Sequence, residues 1–216
     1  MTWLDVVPEE ERRALEPRFL VRRYRRGETI VAQGEPSTNV YLIDSGHAAV
    51  RIATPFGETV TTTVLGPRTG FGEVAHLTRE ETRSASVVAL DDVVVRLLPG
   101  RVFEEVRARV PEIAEALAVG LAERLRDLSD RFSELALESV QRRCGRRIVE
   151  LATLFSEGGP AAVVIPLTQE DLAGIVGATR PTINQVLGHL AAEGLVVIRR
   201  GVIEVPDRRR LAEHVR

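Results

Sequence analysis

The amino-acid sequence predicts an α+β fold in three parts: an N-terminal all-β domain, a long helix, and a C-terminal helix-turn-helix followed by a β-hairpin. Between about Phe19 and Pro99, short Val- and Thr-rich runs are broken by glycines, which is typical of short strands joined by tight turns. After Pro99 the hydrophobic period changes from two residues to between three and four, which indicates helix. Two short helical patterns, one on each side of Gly177, are followed by a run in which apolar and polar residues alternate. We expect domain boundaries at 1–110, 111–139 and 140–216.

Composition places the chain among globular proteins. Its 216 residues are 44% apolar and 28% charged, which suffices for one or two packed domains. The net charge is −2, yet residues 140–216 hold 11 Arg against 8 acidic residues, so positive charge is concentrated toward the C-terminus. No apolar run is long enough to span a bilayer and the first residues do not resemble a secretion signal, so we expect a cytoplasmic protein without a membrane partner. Cys144 is the single cysteine, which excludes a disulfide framework within one chain, and no metal is expected.

The segment from Thr168 to Leu190 has the pattern of a helix-turn-helix. Thr168 can cap a first helix with an acidic opening turn, and Gly177 stands where the turn between the helices needs a positive φ. Thr179 can cap a second helix, which tolerates Pro181 in its first turn. An ordinary helical hairpin in a core is the alternative. The coincidence of both caps with the turn glycine favours the DNA-binding motif, whose second helix enters the major groove of double-stranded DNA.

The second helix of this motif directs polar side chains away from its apolar face. Arg can bond both acceptors of guanine and Gln can bond the edge of adenine, so we expect Arg180 and Gln185 to read bases. Asn184 and His189 could equally be solvated or contact phosphate. The candidates for backbone contacts that position the motif are Thr168, Gln169, Thr179 and Thr182. The run 195–205 predicts a hairpin, or wing. Its turn carries Arg199 and Arg200, for which phosphate contact and solvation both remain open.

The long helix is predicted to carry a seam for a partner helix. Six large apolar side chains recur at steps of four, four, three, four and three, namely Leu117, Leu121, Leu125, Leu128, Phe132 and Leu135. This spacing is typical of a two-stranded coiled coil, although the stripe could instead pack onto the β domain of its own chain. We expect a homodimer, because two recognition helices about 34 Å apart read a palindrome whereas a single one binds weakly.

The β domain contains a glycine-rich turn with polar residues suited to a phosphorylated sugar. The run Gly70-Phe-Gly72-Glu73-Val74-Ala75 is followed, after a short polar stretch, by Arg83-Ser84-Ala85. Such a turn exposes backbone N–H groups. Glu73 can accept a hydrogen bond from a sugar hydroxyl, Arg83 can pair with a phosphate, and Ser84 can add a hydroxyl donor. Each residue alone would more often be a surface charge or a turn former, so the prediction depends on the whole set.

With these motifs in this order, the chain resembles the cyclic-AMP receptor protein/FNR family of bacterial transcription regulators over nearly its whole length. The resemblance implies a cyclic-nucleotide-binding β-roll of jelly-roll type, a dimerisation helix and a winged helix-turn-helix. It implies cyclic AMP as effector, a palindromic operator, and RNA polymerase as a further partner. The implied ligand-binding residues are Gly72 and Glu73 at the ribose, Arg83 and Ser84 at the cyclic phosphate, and Leu128 and Ser129 near the base, together with Val74 and Ala75.

Three positions depart from the family's pattern. The cyclic-AMP readers of the family carry a Thr-Ser pair on the long helix, where this chain has Leu128-Ser129, so one hydroxyl that would recognise the purine is missing. The family's cyclic-AMP receptor has Arg-Glu at the start of its recognition helix and a second Arg further on, where this chain has Arg180-Pro181 and Gln185. Because Pro181 cannot accept a hydrogen bond from cytosine, we expect a different operator base pair at that position.

Other interpretations keep the fold but assign a different signal, or none, to the control of the regulator. One is a regulator that has lost ligand control. Another is a gas sensor with haem, in which His76 or His47 would be an axial ligand. An enzyme is not expected, because the sequence contains no recognisable Ser/His/Asp set, carboxylate pair or metal-spaced His cluster.

Overall fold

A computed structural model describes residues 2–36, 38–54, 59–78, 82–156 and 162–215. The chain forms two compact units. One comprises Met1–Ala53 and Leu65–Leu128, and the other comprises Thr54–Val64 and Ser129–Arg216.

The first unit is a β-roll preceded by short helices. A 3-10 turn at Trp3–Val6, helix α1 (Glu9–Leu15) and a second 3-10 turn at Glu16–Arg18 lead into the strands. The strands of the N-terminal half of the chain are β1 (Leu20–Tyr24), β2 (Thr29–Val31), β3 (Asn39–Ser45), β4 (Ala48–Ala53), β5 (Thr59–Leu65), β6 (Gly70–Phe71), β7 (Ser86–Ala89) and β8 (Val93–Pro99).

Strands β1, β2, β3 and β4 alternate between two sheets, and so do β6, β7 and β8. One sheet has the order β1-β8-β3-β6, and in the other sheet β2, β7 and β4 lie side by side in that order, with antiparallel pairing throughout. Strands β3 and β4 are joined by a turn at Gly46, which has a φ of 82°, yet they belong to opposite sheets. This arrangement confirms the jelly-roll-like fold.

Two apolar clusters stabilise the first unit. Between the sheets, Tyr41 and Phe71 stack with ring centroids 4.8 Å apart and pack with buried Val and Ile side chains. On the outside of the roll, Trp3 meets Phe103 edge to face at 5.1 Å, and Ile113 is fully buried in the same cluster. The short N-terminal helices are therefore fixed to the helices that follow the roll.

Helix α2 (Val74–Thr78) follows strand β6, and helices α3 (Gly100–Arg109) and α4 (Glu112–Leu137) follow strand β8. Helix α4 has 26 residues and begins directly after Pro111, as predicted. The start of its apolar stripe packs on its own chain, since Leu117 is buried. Further along, Leu125 is 66% exposed and Phe132 is 74% exposed. Packing onto the β domain therefore accounts only for the first turns of the stripe.

The second unit has a winged helix-turn-helix. Its elements are α5 (Val140–Leu154), β9 (Val163–Ile165), α6 (Gln169–Val176), α7 (Arg180–Ala192), β10 (Val197–Arg199), β11 (Val202–Val205) and α8 (Arg208–His214). Strands β10, β11 and β9 form an antiparallel sheet in that order. Burial raises the pKa of the Cys144 thiol to about 12, so this side chain stays protonated and packs as a small apolar group.

The described part of the chain contains no helix that is both long and apolar enough to cross a membrane. Within the same residues, no group of three or more His, Cys, Asp or Glu side chains is arranged to hold a metal ion.

Candidate ligand pocket and DNA-reading surface

Arg83 lies in the β-roll as a buried cation, 8% exposed. Its guanidinium donates from Nη2 to the carbonyl of Asn39 (2.5 Å) and from Nη1 to the carbonyl of Gly72 (3.2 Å), and it lies 5.5 Å from the centre of the Tyr41 ring. Burial lowers the pKa of Arg83, although a guanidinium stays charged in proteins. A buried positive charge next to a glycine-rich turn is suited to pairing with a phosphate.

Gly72 is required by this arrangement for two reasons. Its φ is 88°, in the region that favours glycine. In addition, a Cβ at this position would lie 2.6 Å from Nη1 of Arg83. The glycine thus lets the turn approach the guanidinium closely.

Glu73 is buried, with 4% exposure, and it has one satisfied and one unsatisfied oxygen. Oε1 accepts a hydrogen bond from Arg124 Nη1 on α4 (2.8 Å), whereas Oε2 is buried without a hydrogen-bond partner in the described chain. A buried acceptor without a donor is costly, and a ligand hydroxyl would supply the donor. The structure therefore brings Gly72, Glu73 and Arg83 together, as the sequence predicts.

The other predicted ligand residues are more exposed. Val74 and Ala75 form the start of α2, and Ser84 follows Arg83 on the surface. Leu128 is 63% exposed on α4, and Ser129 is the exposed residue after it.

Arg124 is a site residue that sequence reasoning missed. It lies one helical turn before Leu128 and on the same face of α4, and its Nη2 also approaches the carbonyl of Gly70 at 3.5 Å. Only the packing of α4 against the turn at Gly70–Glu73 identifies it, because arginine on a long helix is otherwise a common surface residue.

The helix-turn-helix has the predicted caps. Thr168 Oγ1 accepts from the backbone N–H of Asp171 (3.1 Å), whose carboxylate accepts from the N–H of Thr168 (3.0 Å). Gly177 ends α6 with a φ of 69°, and Thr179 Oγ1 accepts from the N–H of Thr182 at the start of α7. These predictions are confirmed, so the turn between the two helices has the expected local geometry.

Strand β5 also holds the first helix of the motif, which the sequence did not reveal. The hydroxyl of Thr61 donates to Oδ1 of Asp171 (2.7 Å), and both residues are buried. A Cβ at Gly174 would lie 2.7 Å from the carbonyl oxygen of Thr61. The missing side chain at Gly174 lets the helix approach the strand backbone.

Helix α7 presents its predicted reading face to solvent. Its apolar residues Ile183, Val186, Leu187 and Leu190 are buried. The exposed residues on the other side are Arg180, Pro181, Asn184, Gln185 and His189.

A cleft of about 380 Å³ joins the helix-turn-helix to the wing. Five predicted DNA-contact residues line it, namely Thr168, Gln169, Arg180, Arg199 and Arg200. Arg199 Nε is 3.2 Å from Oε2 of Glu204, while Arg200 stands exposed at the turn. Glu170 also lines the cleft, whose hydroxyl, amide and guanidinium groups are of the kinds that contact a DNA backbone.

The two histidines considered for haem differ in their surroundings. His47 Nδ1 lies 2.7 Å from a carboxylate oxygen of Asp91. His76 packs beside Phe103 and against Gly100, where a Cβ would lie 2.8 Å from the ring Nε2. Burial lowers the pKa of His76, while Glu104, with Oε1 3.5 Å from the ring Nδ1, acts in the opposite direction. The haem interpretation stays a prediction.

Two family models match the chain. Residues 21–110 match the cyclic nucleotide-binding domain, and residues 142–214 match the Crp-like helix-turn-helix domain. The buried arginine in the β-roll and the capped helix-turn-helix thus belong to two recognised domains. Together they define the class of transcription regulators in which a cyclic nucleotide-binding domain precedes a DNA-binding domain.

Relatives narrow this class to a family. The chain is 32% identical over 195 residues to a CRP-like cAMP-activated global transcriptional regulator of Mycobacterium tuberculosis, covering 89% of this chain and 87% of the relative. It is 33% identical over 208 residues to the cyclic AMP receptor protein of Thermus thermophilus, covering 96% and 93%. The structure of FixK2 from Bradyrhizobium japonicum shares the fold, with a TM-score of 0.74, 21% identity, and coverage of 90% of this chain and 96% of that chain. The chain belongs to the CRP/FNR family of transcription regulators.

Proposed function

We propose that the protein is a homodimeric regulator in which a cyclic nucleotide, cyclic AMP in the first instance, controls binding to a palindromic operator. In this proposal residues 1–110 bind the effector, 111–139 form the dimer and 140–216 bind DNA. The observation that carries it is the pair formed by the buried Arg83 cation and the unsatisfied buried oxygen of Glu73. These two groups match the two polar parts of a cyclic nucleotide, an anionic phosphate and a ribose hydroxyl.

This geometry supports the following effector contacts. The phosphate pairs with Arg83 and accepts from the hydroxyl of Ser84, while the ribose hydroxyl donates to Glu73. The base lies toward α4, where Ser129 offers a hydroxyl and Leu128 offers an apolar surface. Arg124 keeps Glu73 oriented toward the ribose through its 2.8 Å contact. Both relatives described above are named for cyclic AMP, which supports this choice of effector.

Dimer formation is proposed from the exposed stripe on α4. Leu125, Leu128 and Phe132 are each more than 60% exposed. Side chains of this size at coiled-coil spacing gain free energy when a second helix covers them. The effector acts on DNA binding only through its different affinity for two arrangements of the dimer. RNA polymerase is the further partner that transcription control requires, and the cytoplasm is the proposed location.

A gel-shift series on a library of palindromic duplexes tests the proposal. We expect a bound duplex whose affinity increases at least about tenfold with cyclic AMP, a coupling within the usual range for allosteric proteins. Two matched ligands serve as controls. Cyclic GMP carries a different base, and AMP has an open phosphate ring. Equal affinity with and without every nucleotide would indicate the ligand-independent regulator instead. An absorbance scan of the same preparation tests for haem, and binding to no duplex would refute the proposal.

We expect Arg180→Ala to weaken operator binding by about 1–3 kcal/mol and to relax the base preference at one operator position, because Arg180 stands at the exposed start of α7. Arg200→Ala is the matched control. As a phosphate contact, it should weaken all sequences equally and reduce the salt slope by about one. Selection from a randomised operator measures both effects. An unchanged base preference in Arg180→Ala would show that this residue does not read bases.

A further inference from the structure

The link between α4 and α5 consists of Glu138 and Ser139, and charged side chains bridge it. Arg146 on α5 pairs with Glu134 on α4 and, at 2.8 Å, with Glu138. Arg147 also pairs with Glu134 and contacts Glu150 at 2.6 Å. The Glu134 side chain is 14% exposed and the Arg147 side chain 8%. Ion pairs that are shielded from water in this way resist screening by salt. These ion pairs therefore restrain the link between α4 and α5, which a flexible connection would not require.

Arg143 connects this link to the DNA-reading motif. It is 7% exposed, and its guanidinium donates to three backbone carbonyls: Glu138 (2.7 Å, from Nη1), Val176 (3.4 Å, from Nε) and Gly177 (3.4 Å, from Nη2). Glu138 follows the last residue of α4, and Val176 and Gly177 end α6. Because the C-terminal ends of helices carry partial negative charge, one buried cation stabilises both ends at once.

Apolar packing reinforces the same contact. A Cβ at Gly177 would lie 2.8 Å from Cδ2 of Leu135, so the turn of the motif approaches the last turns of α4 as closely as a glycine allows. Leu135 is also the last member of the apolar stripe on α4. The turn between the two DNA-reading helices is therefore in contact with the helix that carries the proposed dimer seam.

We propose that Arg143 is a positioning residue that fixes the orientation of the DNA-reading motif relative to the C-terminal end of α4. This inference rests on the proposed function, since it requires a dimer that binds two half-sites. In such a dimer the second half-site binds as an intramolecular event, and its effective concentration depends on how firmly each motif is held at the correct distance. Arg143 contacts no base in this scheme. It determines how well two half-sites are engaged together.

A purely structural role predicts a different result. If Arg143 only stabilised the fold of the second unit, its loss would weaken each half-site contact, and the palindrome, which uses two such contacts, would lose the square of the half-site factor. If it positions the motif, a single half-site is bound normally, and the palindrome loses more than that square because the effective concentration decreases. Comparison of the palindrome loss with the square of the half-site loss distinguishes the roles.

The experiment compares Arg143→Met with wild type on a half-site duplex and on the full palindrome, at a temperature well below the measured Tm of each protein. We expect about tenfold or more loss on the palindrome and less than about twofold loss on the half-site, because only the effective concentration changes. Insertion of one base pair between half-sites should be tolerated better by the variant than by wild type.

Two further variants complete the test. Arg142→Met is the matched control, since Arg142 is the exposed neighbour and its replacement removes the same charge; it should preserve the ratio of the affinities. Arg143→Lys keeps a cation near the carbonyls and should recover part of the palindrome affinity. If Arg143→Met does not fold, Arg143→Lys alone decides, with the same comparison as the readout. A palindrome loss no greater than the square of the half-site loss overturns the inference. Failure of the wild type to bind the palindrome would instead refute the proposed function.

Discussion

Replacing Arg83 with leucine should abolish cyclic nucleotide binding, and with it any effect of the nucleotide on DNA binding. The reason is that Arg83 is the buried cation of the pocket and already lies beside the turn that would hold the phosphate. Loss of one partner from a buried, hydrogen-bonded charge pair costs about 2–5 kcal/mol, which is up to a few thousandfold in affinity. Calorimetry with cyclic AMP and cyclic GMP measures the loss.

The control for this variant is Arg23→Leu, which removes an equal charge from the exposed strand β1. Because Arg83 also donates to the carbonyls of Asn39 and Gly72, Arg83→Leu should lower the Tm as well, and binding must be measured below that temperature. Ser84→Ala, which removes a single neutral donor, should have a smaller effect of about tenfold or less. Nucleotide binding that persists in Arg83→Leu within about twofold would place the phosphate elsewhere.

Replacing Leu125 with glutamate should convert the proposed dimer to a monomer and remove binding to the proposed palindrome. Leu125 is in the middle of the exposed stripe on α4, so a dimer would bury one carboxylate from each chain at the same level of the seam. Burial of an unpaired charge costs several kcal/mol, and it occurs twice. Without the dimer, the gain of about 10²–10⁴ from simultaneous binding of two half-sites is lost. Solution scattering gives the mass, and gel shift gives the affinity.

The control is Arg126→Glu. This variant changes the charge of the same helix by two units. Because Arg126 is exposed and lies outside the apolar stripe, the dimer should persist. Half-site binding by Leu125→Glu should equal that of wild type, because α7 and the wing are unaffected. Two results would disprove dimer formation through the apolar stripe of α4. One is a dimer of normal mass for Leu125→Glu, and the other is a wild-type protein that is monomeric with effector and operator present.

Local signals account for the parts of the site that the sequence predicts well. Thr168, Gly177 and Thr179 act within one or two turns of their own positions, through caps and a left-handed backbone, so their roles can be recognised from neighbouring residues alone. The same holds for Gly72, whose turn approaches Arg83 eleven residues later in one compact motif. Such interactions depend little on how distant elements pack.

Contacts between distant segments were not predicted. Strands β3 and β4 are adjacent in sequence and lie in different sheets, because the pattern of alternation specifies a strand and one buried face but not the partner strand. Arg124 reaches Glu73 across 51 residues, and Thr61 reaches Asp171 across 110. In the sequence Arg124 looks like an ordinary surface residue of a helix, and Thr61 looks like one of a strand.

By itself, then, the sequence determined an α+β regulator with a glycine-rich turn, an apolar helix stripe and a helix-turn-helix, because caps, glycine turns and periodicity are encoded within short segments. Tertiary structure alone decided that Glu73 keeps one oxygen without a donor, that Arg124 holds the other, and that Arg143 ties the turn of the DNA-reading motif to the end of α4. The physical reason is that burial and charge pairing depend on which surfaces the folded chain brings together.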